Sequence, residues 1–223
     1  LAMAPEDIAR LISDQAHELV CYYEVAGPDG YARRYKSPCW PEAQSGITIG
    51  IGYDIGYNSP ATFEKAWKEF LSPEDFALLA QTVGKKGLAA KPLLAAVKHI
   101  VVPWEAAQKV YRTVTVPSFA KQVISAFPKA TELHPHAFGA LFSLVYNRGP
   151  GLTGARRSHM RNIRDHLLAN ALNSIPGEFR NMKSLWPASL SGLHKRRDSE
   201  ARLFEQGLIE KTQAKIVNVP PPP

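Results

Sequence analysis

The chain predicts an α+β fold, mostly α, with a small β-sheet lobe, a larger helical lobe and a cleft between them. Three observations lead there. The stretch Gly46-Ile47-Thr48-Ile49-Gly50-Ile51-Gly52-Tyr53-Asp54 alternates apolar and small or polar residues with the period of a strand. From Pro92 to Phe204 the pattern is helical, interrupted at Pro103, Pro117, Pro128, Pro135, Gly149, Pro176 and Pro187. The length, 223 residues with 45% hydrophobic and 21% charged content, suffices for one sizeable domain. A single domain is expected over 1–219, with a small lobe over about 20–85, a helical lobe over about 86–210, and a proline tail at Pro220–Pro223.

In chain order, Leu1-Ala2-Met3-Ala4 reads as a remnant preceding the fold. Ile8, Leu11, Ile12, Leu19, Val20 and Tyr23 trace one amphipathic helix, with Pro5 in its first turn and Gly27 just past its end. Glu24 falls in the last turn of that helix, where the dipole disfavours negative charge, as a general acid requires. Pro28 to Ser45 reads as a loop, carrying Tyr31, Arg33, Arg34, Tyr35, Trp40 and Glu42, a mixture suited to stacking on sugars or to surface packing. In the strand that follows, Gly50 and Gly52 share one face. Glycine weakens a strand, so either something bulky is expected against this face or the glycines accommodate a crossing helix or a bulge.

Ser59-Pro60 and Ser72-Pro73 each open a helix, the second ending near Gly84, and Lys85 to Lys91 reads as the connection between lobes. Ala137 to Tyr146 is the most apolar piece of the second half and is expected to be its central helix, stopping at Asn147-Arg148-Gly149.

Function classes narrow from composition. A formal charge of +7 favours an anionic partner, the bacterial envelope or nucleic acid, but no fingerprint of a nucleic-acid-binding fold accompanies the basic residues. No apolar run approaches the roughly 20 residues that span a bilayer, and the start lacks the basic-then-apolar pattern of a secretory signal. Cys21 and Cys39 are the only cysteines; they are expected as free thiols, with pairing left open for an oxidising periplasm. The seven histidines show no zinc-type spacing, so neither a metal site nor a cofactor is expected.

Two separated motifs carry a family resemblance. The Thr48-Ile49-Gly50-Ile51-Gly52 segment, downstream of a helix ending at Tyr22-Tyr23-Glu24, resembles the T-I-G-I-G of phage-type lysozymes, whose first helix bears a catalytic glutamate. Gly192 to Phe204 resembles the G-L-x-x-R-R-x-x-E-x-x-L-F of the same family, and Asn147-Arg148-Gly149 its F-N-x-G turn.

The resemblance implies a lysozyme-like fold and a muramidase. Such an enzyme cleaves the bond from N-acetylmuramic acid to N-acetylglucosamine in bacterial peptidoglycan, as an endolysin or cell-wall toxin domain does. It also implies action in the periplasm or cell wall after release through a pore or delivery by a secretion machine. It makes Glu24 the proton donor and Thr48 the positioner of the attacking water. Tyr31, Trp40, Gly50, Gly52, Tyr53, Asn147 and Arg197 would line the sugar site.

One departure matters. The family's aspartate before the threonine is missing at Tyr35-Lys36-Ser37-Pro38, so the second carboxylate is open among Asp54, Glu42 and Asp29, or absent. On an extended strand, six residues at about 3.3 Å each put Asp54 roughly 20 Å from Thr48, so Asp54 serves only if the chain turns back after Gly52. The alternatives are a lytic transglycosylase, which needs one carboxylate, and a non-catalytic peptidoglycan-binding or structural phage component. Arg196 and Arg197 are expected to point one inward and one to solvent.

Overall fold

A computed structural model describes residues 3–217; the expected proline tail, and Leu1 and Ala2 of the segment expected to precede the fold, lie outside them. The described chain is mostly helical, with one two-stranded sheet. No helix among the described residues is long and apolar enough to cross a membrane. The chain forms two compact units, one of residues Cys21–Val116, the other of Leu1–Val20 with Pro117–Pro223.

The helices are α1 (Pro5–Leu11), α2 (Asp14–Val25), α3 (Gly27–Gly30), α4 (Pro60–Trp67), α5 (Pro73–Ala80), α6 (Leu94–Val97), α7 (Trp104–Val110), α8 (Val116–Ala126), α9 (Pro135–Arg148), α10 (Ser158–Leu168), α11 (Ile175–Asn181) and α12 (Ser191–Val217). The strands are β1 (Thr48–Ile49) and β2 (Tyr53–Asp54).

The single first helix expected from periodicity is two. Ile12 is extended, at φ −120° and ψ 125°, and the Ser13 hydroxyl accepts the Ala16 amide at 3.2 Å, restarting the helix as α2. The apolar stripe continues across this break, which is why it reads as one helix.

In the unit of Cys21–Val116, the expected loop from Pro28 begins as helix. α3 runs into a π-helical turn over Tyr31–Tyr35. Tyr31 is buried, donates from its hydroxyl to the Val102 carbonyl at 2.6 Å and packs on Trp104 with centroids 4.9 Å apart. Ser59 and Thr62 form a reciprocal capping box at α4, and Ser72 caps α5, as their sequence signals require. Lys85–Lys91 lies inside this unit, which continues to Val116.

In the other unit, α9 is buried from His136 through Val145. A helix apolar on every side must be surrounded, and α1 and α12 pack against it. Close approach is possible because α12 carries Gly207, where any Cβ would meet the Ala137 amide nitrogen at 2.9 Å. The same helix brings three charged side chains inside: Arg196, Arg197 and Glu200 are all buried. Arg197 pairs with Glu200, its Nη2 lying 3.0 Å from Oε2, and Arg196 donates to the Ser143 hydroxyl and carbonyl at 3.1 and 3.2 Å. Both arginines therefore point inward, against the expectation that one faces solvent.

Candidate functional site

The glycine-rich stretch is a hairpin, not one strand. β1 and β2 pair antiparallel with Thr48 opposite Asp54 and Ile49 opposite Tyr53. The turn between them needs left-handed backbone at two positions, and Gly50 and Gly52 supply it with φ of +59° and +66°. This is the turn-back that Asp54 required. It places Asp54 directly across from Thr48 instead of at the far end of an extended strand.

The carboxylate of Asp54 accepts the Gly46 amide at 3.0 and 3.1 Å and the Gly56 amide at 2.9 Å, joining the two ends of the hairpin. Burial pushes its pKa up, while those two amides and the nearby Lys86 ammonium pull the other way without cancelling the rise. Thr48 is half-buried and donates its hydroxyl to the Gly46 carbonyl at 3.2 Å. With that proton committed, the Thr48 oxygen is left as an acceptor.

Gly50 does not present a bare face to a ligand. A Cβ there would lie 2.9 Å from Trp67, with Ala107 behind at 3.6 Å, so the bulky object against this glycine belongs to the protein's own core. Tyr53 is buried edge-on against Trp67, with centroids 5.5 Å apart. Burial pushes its hydroxyl up to about 12, and among the described residues neither the Tyr53 hydroxyl nor the Trp67 indole nitrogen has a hydrogen-bond partner. Tyr31, occupied with Val102 and Trp104, is likewise a core residue and not a sugar platform.

Trp40 remains half-buried. Its indole nitrogen donates to the Ser45 carbonyl at 2.9 Å and the Lys91 ammonium sits 5.6 Å from its ring centroid. Glu24 is in the last turn of α2 and half-buried. The helix stops after Val25, one residue on, where Ala26 and Gly27 both turn left-handed, at φ 56° and 72°; for alanine that conformation is strained. Of the other acidic candidates, Glu42 is exposed at φ 75° and Asp29 is exposed in α3.

Asn147 and Arg197 lie in the other unit. Asn147 is exposed at the end of α9, whereas Arg197 is fully buried against Glu200 and beneath the Trp186 ring, 5.7 Å from its centroid. Its charge is spent on that pair. Cys21 and Cys39 are free thiols, both pushed up by burial, Cys39 further by the Asp54 charge.

Two arrangements escaped the sequence. A surface hollow bordered by Glu69, Phe70, Pro103, Glu105, Ala106 and Lys109 holds two carboxylates and none of the expected site residues. Contrary to the expectation that the histidines gather no metal-type cluster, the ligand atoms of His134, His136 and Glu210 lie within 4.8 Å of one another. Spacing could show the two histidines flanking Pro135, but Glu210 joins them only because α12 packs along α9.

No curated protein matches the chain. A family model described as Domain of unknown function (DUF8812) matches residues 20–148, which takes in Glu24, the hairpin, α9 and Asn147 and ends before Arg197 and Glu210. That match spans more than half of the sequence, and the chain belongs to this family of unknown function.

Proposed function

We propose that this protein cleaves the glycan strands of bacterial peptidoglycan, with Glu24 as the proton donor to the leaving oxygen. The observation that carries the reading is the conjunction, inside one unit, of a half-buried glutamate at a strained helix end and the Thr48–Asp54 hairpin. A carboxyl at the negative end of a helix dipole suits general-acid work, and strained backbone persists where surrounding structure enforces it.

In the muramidase reading, Glu24 protonates the glycosidic oxygen and Thr48 orients a water. Its oxygen accepts a hydrogen bond from the water and aims the water's lone pair at the anomeric carbon; the bond to the oxygen protonated by Glu24 breaks as the new C–O bond forms, and the water's surplus proton passes to solvent. Trp40, half-buried in the same unit, is the aromatic residue this reading assigns to sugar stacking. The reading further takes the fold as lysozyme-like and the site of action as the periplasm or cell wall.

One observation favours a second reading. The Asp54 carboxylate is engaged with two backbone amides, which suits a hairpin clasp better than a nucleophile or base. With a single working carboxyl, a lytic transglycosylase is the simpler chemistry, the muramic 6-hydroxyl attacking its own anomeric carbon in place of water. Mass spectrometry of digested peptidoglycan separates the two. Reducing muramic ends identify hydrolysis, anhydro ends identify transglycosylation, and the absence of any new glycan end contradicts both.

A further inference from the structure

We propose that His134, His136 and Glu210 form a binding site for a divalent cation of the zinc class, built where the first turn of α9 meets α12. The Nε2 atoms of both histidines converge on one carboxylate oxygen, Oε2 of Glu210, each at 3.2 Å. Zinc bonds of about 2.0–2.2 Å in tetrahedral geometry hold neighbouring ligand atoms roughly 3.3 Å apart, so two of the three edges already have the needed length. Two imidazoles and one carboxylate are a donor set that suits zinc and leaves one position for water.

The scaffold holds these groups from three directions. Pro135 fixes the backbone between the histidines at the start of α9, and Gly207 lets α12 approach so closely that Glu210, one turn later, reaches both rings. His136 is oriented from behind by Ser13, whose hydroxyl lies 2.8 Å from Nδ1. Accepting the Nδ1 proton leaves the Nε2 lone pair free for a metal, the usual arrangement behind a histidine ligand. Exposure falls from Glu210 at 39% through His134 at 24% to His136 at 5%, so the cluster opens to solvent on one side and is anchored on the other.

Without an ion the same contacts are satisfied as two imidazole N–H groups sharing a carboxylate, with the Ser13 hydroxyl then donating to His136 Nδ1, so both histidines change tautomer on binding. His134 shows what must change on binding. Its Nδ1 accepts the His136 amide at 3.1 Å, which places its proton on Nε2. Coordination through Nε2 takes the other tautomer, with the proton on Nδ1, so the cap on α9 is exchanged for the metal bond. Lys211, beside Glu210 in sequence, opposes a cation, but its ammonium is turned to the Glu132 carbonyl at 2.5 Å.

The test uses the full chain, stripped with a chelator and titrated with Zn²⁺, with metal content after dialysis and melting temperature as readouts. One ion per chain is expected, together with a raised melting temperature that chelator reverses. Glu210→Gln, a conservative change at a partly exposed position, and His136→Asn should each weaken uptake at least about tenfold, and Ser13→Ala by about tenfold, as loss of an outer partner does. His159→Asn, in the separate contact with Glu178, should leave uptake unchanged. Lack of stoichiometric uptake by the parent at micromolar Zn²⁺ overturns the proposal. So does uptake that survives both Glu210→Gln and His136→Asn, or that disappears with His159→Asn.

Discussion

Asp54 and Gly50 show how single residues of the hairpin divide between folding and chemistry. Asp54→Ala leaves the amides of Gly46 and Gly56 without their acceptor and should lower stability by about 1–3 kcal/mol in denaturant titration. Asp54→Asn keeps an oxygen near both amides, since each lies within 3.1 Å of Oδ1, and should lose much less. The pH dependence has a definite sign. The folded pKa of Asp54 is raised above its ordinary value of 3.8, so the group contributes stability below that value and loses it as pH rises through the folded pKa. The melting temperature of Asp54→Asn relative to the parent should therefore improve as pH increases from about 3.8 upward. A difference that moves in the parent's favour over that range would show that the two amides outweigh burial. Gly50→Val combines a left-handed backbone with a collision against Trp67, and at least about 2 kcal/mol of destabilisation should follow. If Gly50→Val melts like the parent, the turn is not what this glycine serves.

Elements were legible where local chemistry decides them and obscure where distant packing does. Ser59-Pro60 and Ser72-Pro73 mark α4 and α5 because a cap is a local hydrogen bond, and α9 declares itself through an apolar run. Glu24 was likewise placed correctly in a last helical turn. The hairpin reads as one strand in the sequence because alternation continues through Gly50 and Gly52, and only positive φ reveals the turn. The break at Ser13 was hidden by the apolar stripe, and the inward turn of both Arg196 and Arg197 by their ordinary place outside a helix.

That buried pair gives the element-scale prediction. Glu200→Gln leaves Arg197 charged in a site of zero exposure, and breaking such a pair should destabilise by about 3–5 kcal/mol in denaturant titration. A loss below about 1 kcal/mol would mean that the arginine finds other compensation.

At the scale of the whole molecule, the charge of +7 is the feature that bears most directly on partners. Exposed charges are screened over about 8 Å at physiological ionic strength, so association with isolated cell walls should weaken steeply with salt. Binding unchanged between dilute buffer and molar salt would point to stacking, with Trp40 the first residue to replace. The proposed glycan cleavage depends on Glu24. The decisive measurement is glycan cleavage of purified peptidoglycan by the parent and by Glu24→Gln, with melting curves taken alongside. Glutamine keeps the size and hydrogen-bonding capacity but has no proton to transfer, so cleavage should fall by about 10²–10⁴-fold while the melting temperature stays close to the parent's. A folded Glu24→Gln protein that releases glycan fragments at the parental rate would contradict the proposed chemistry.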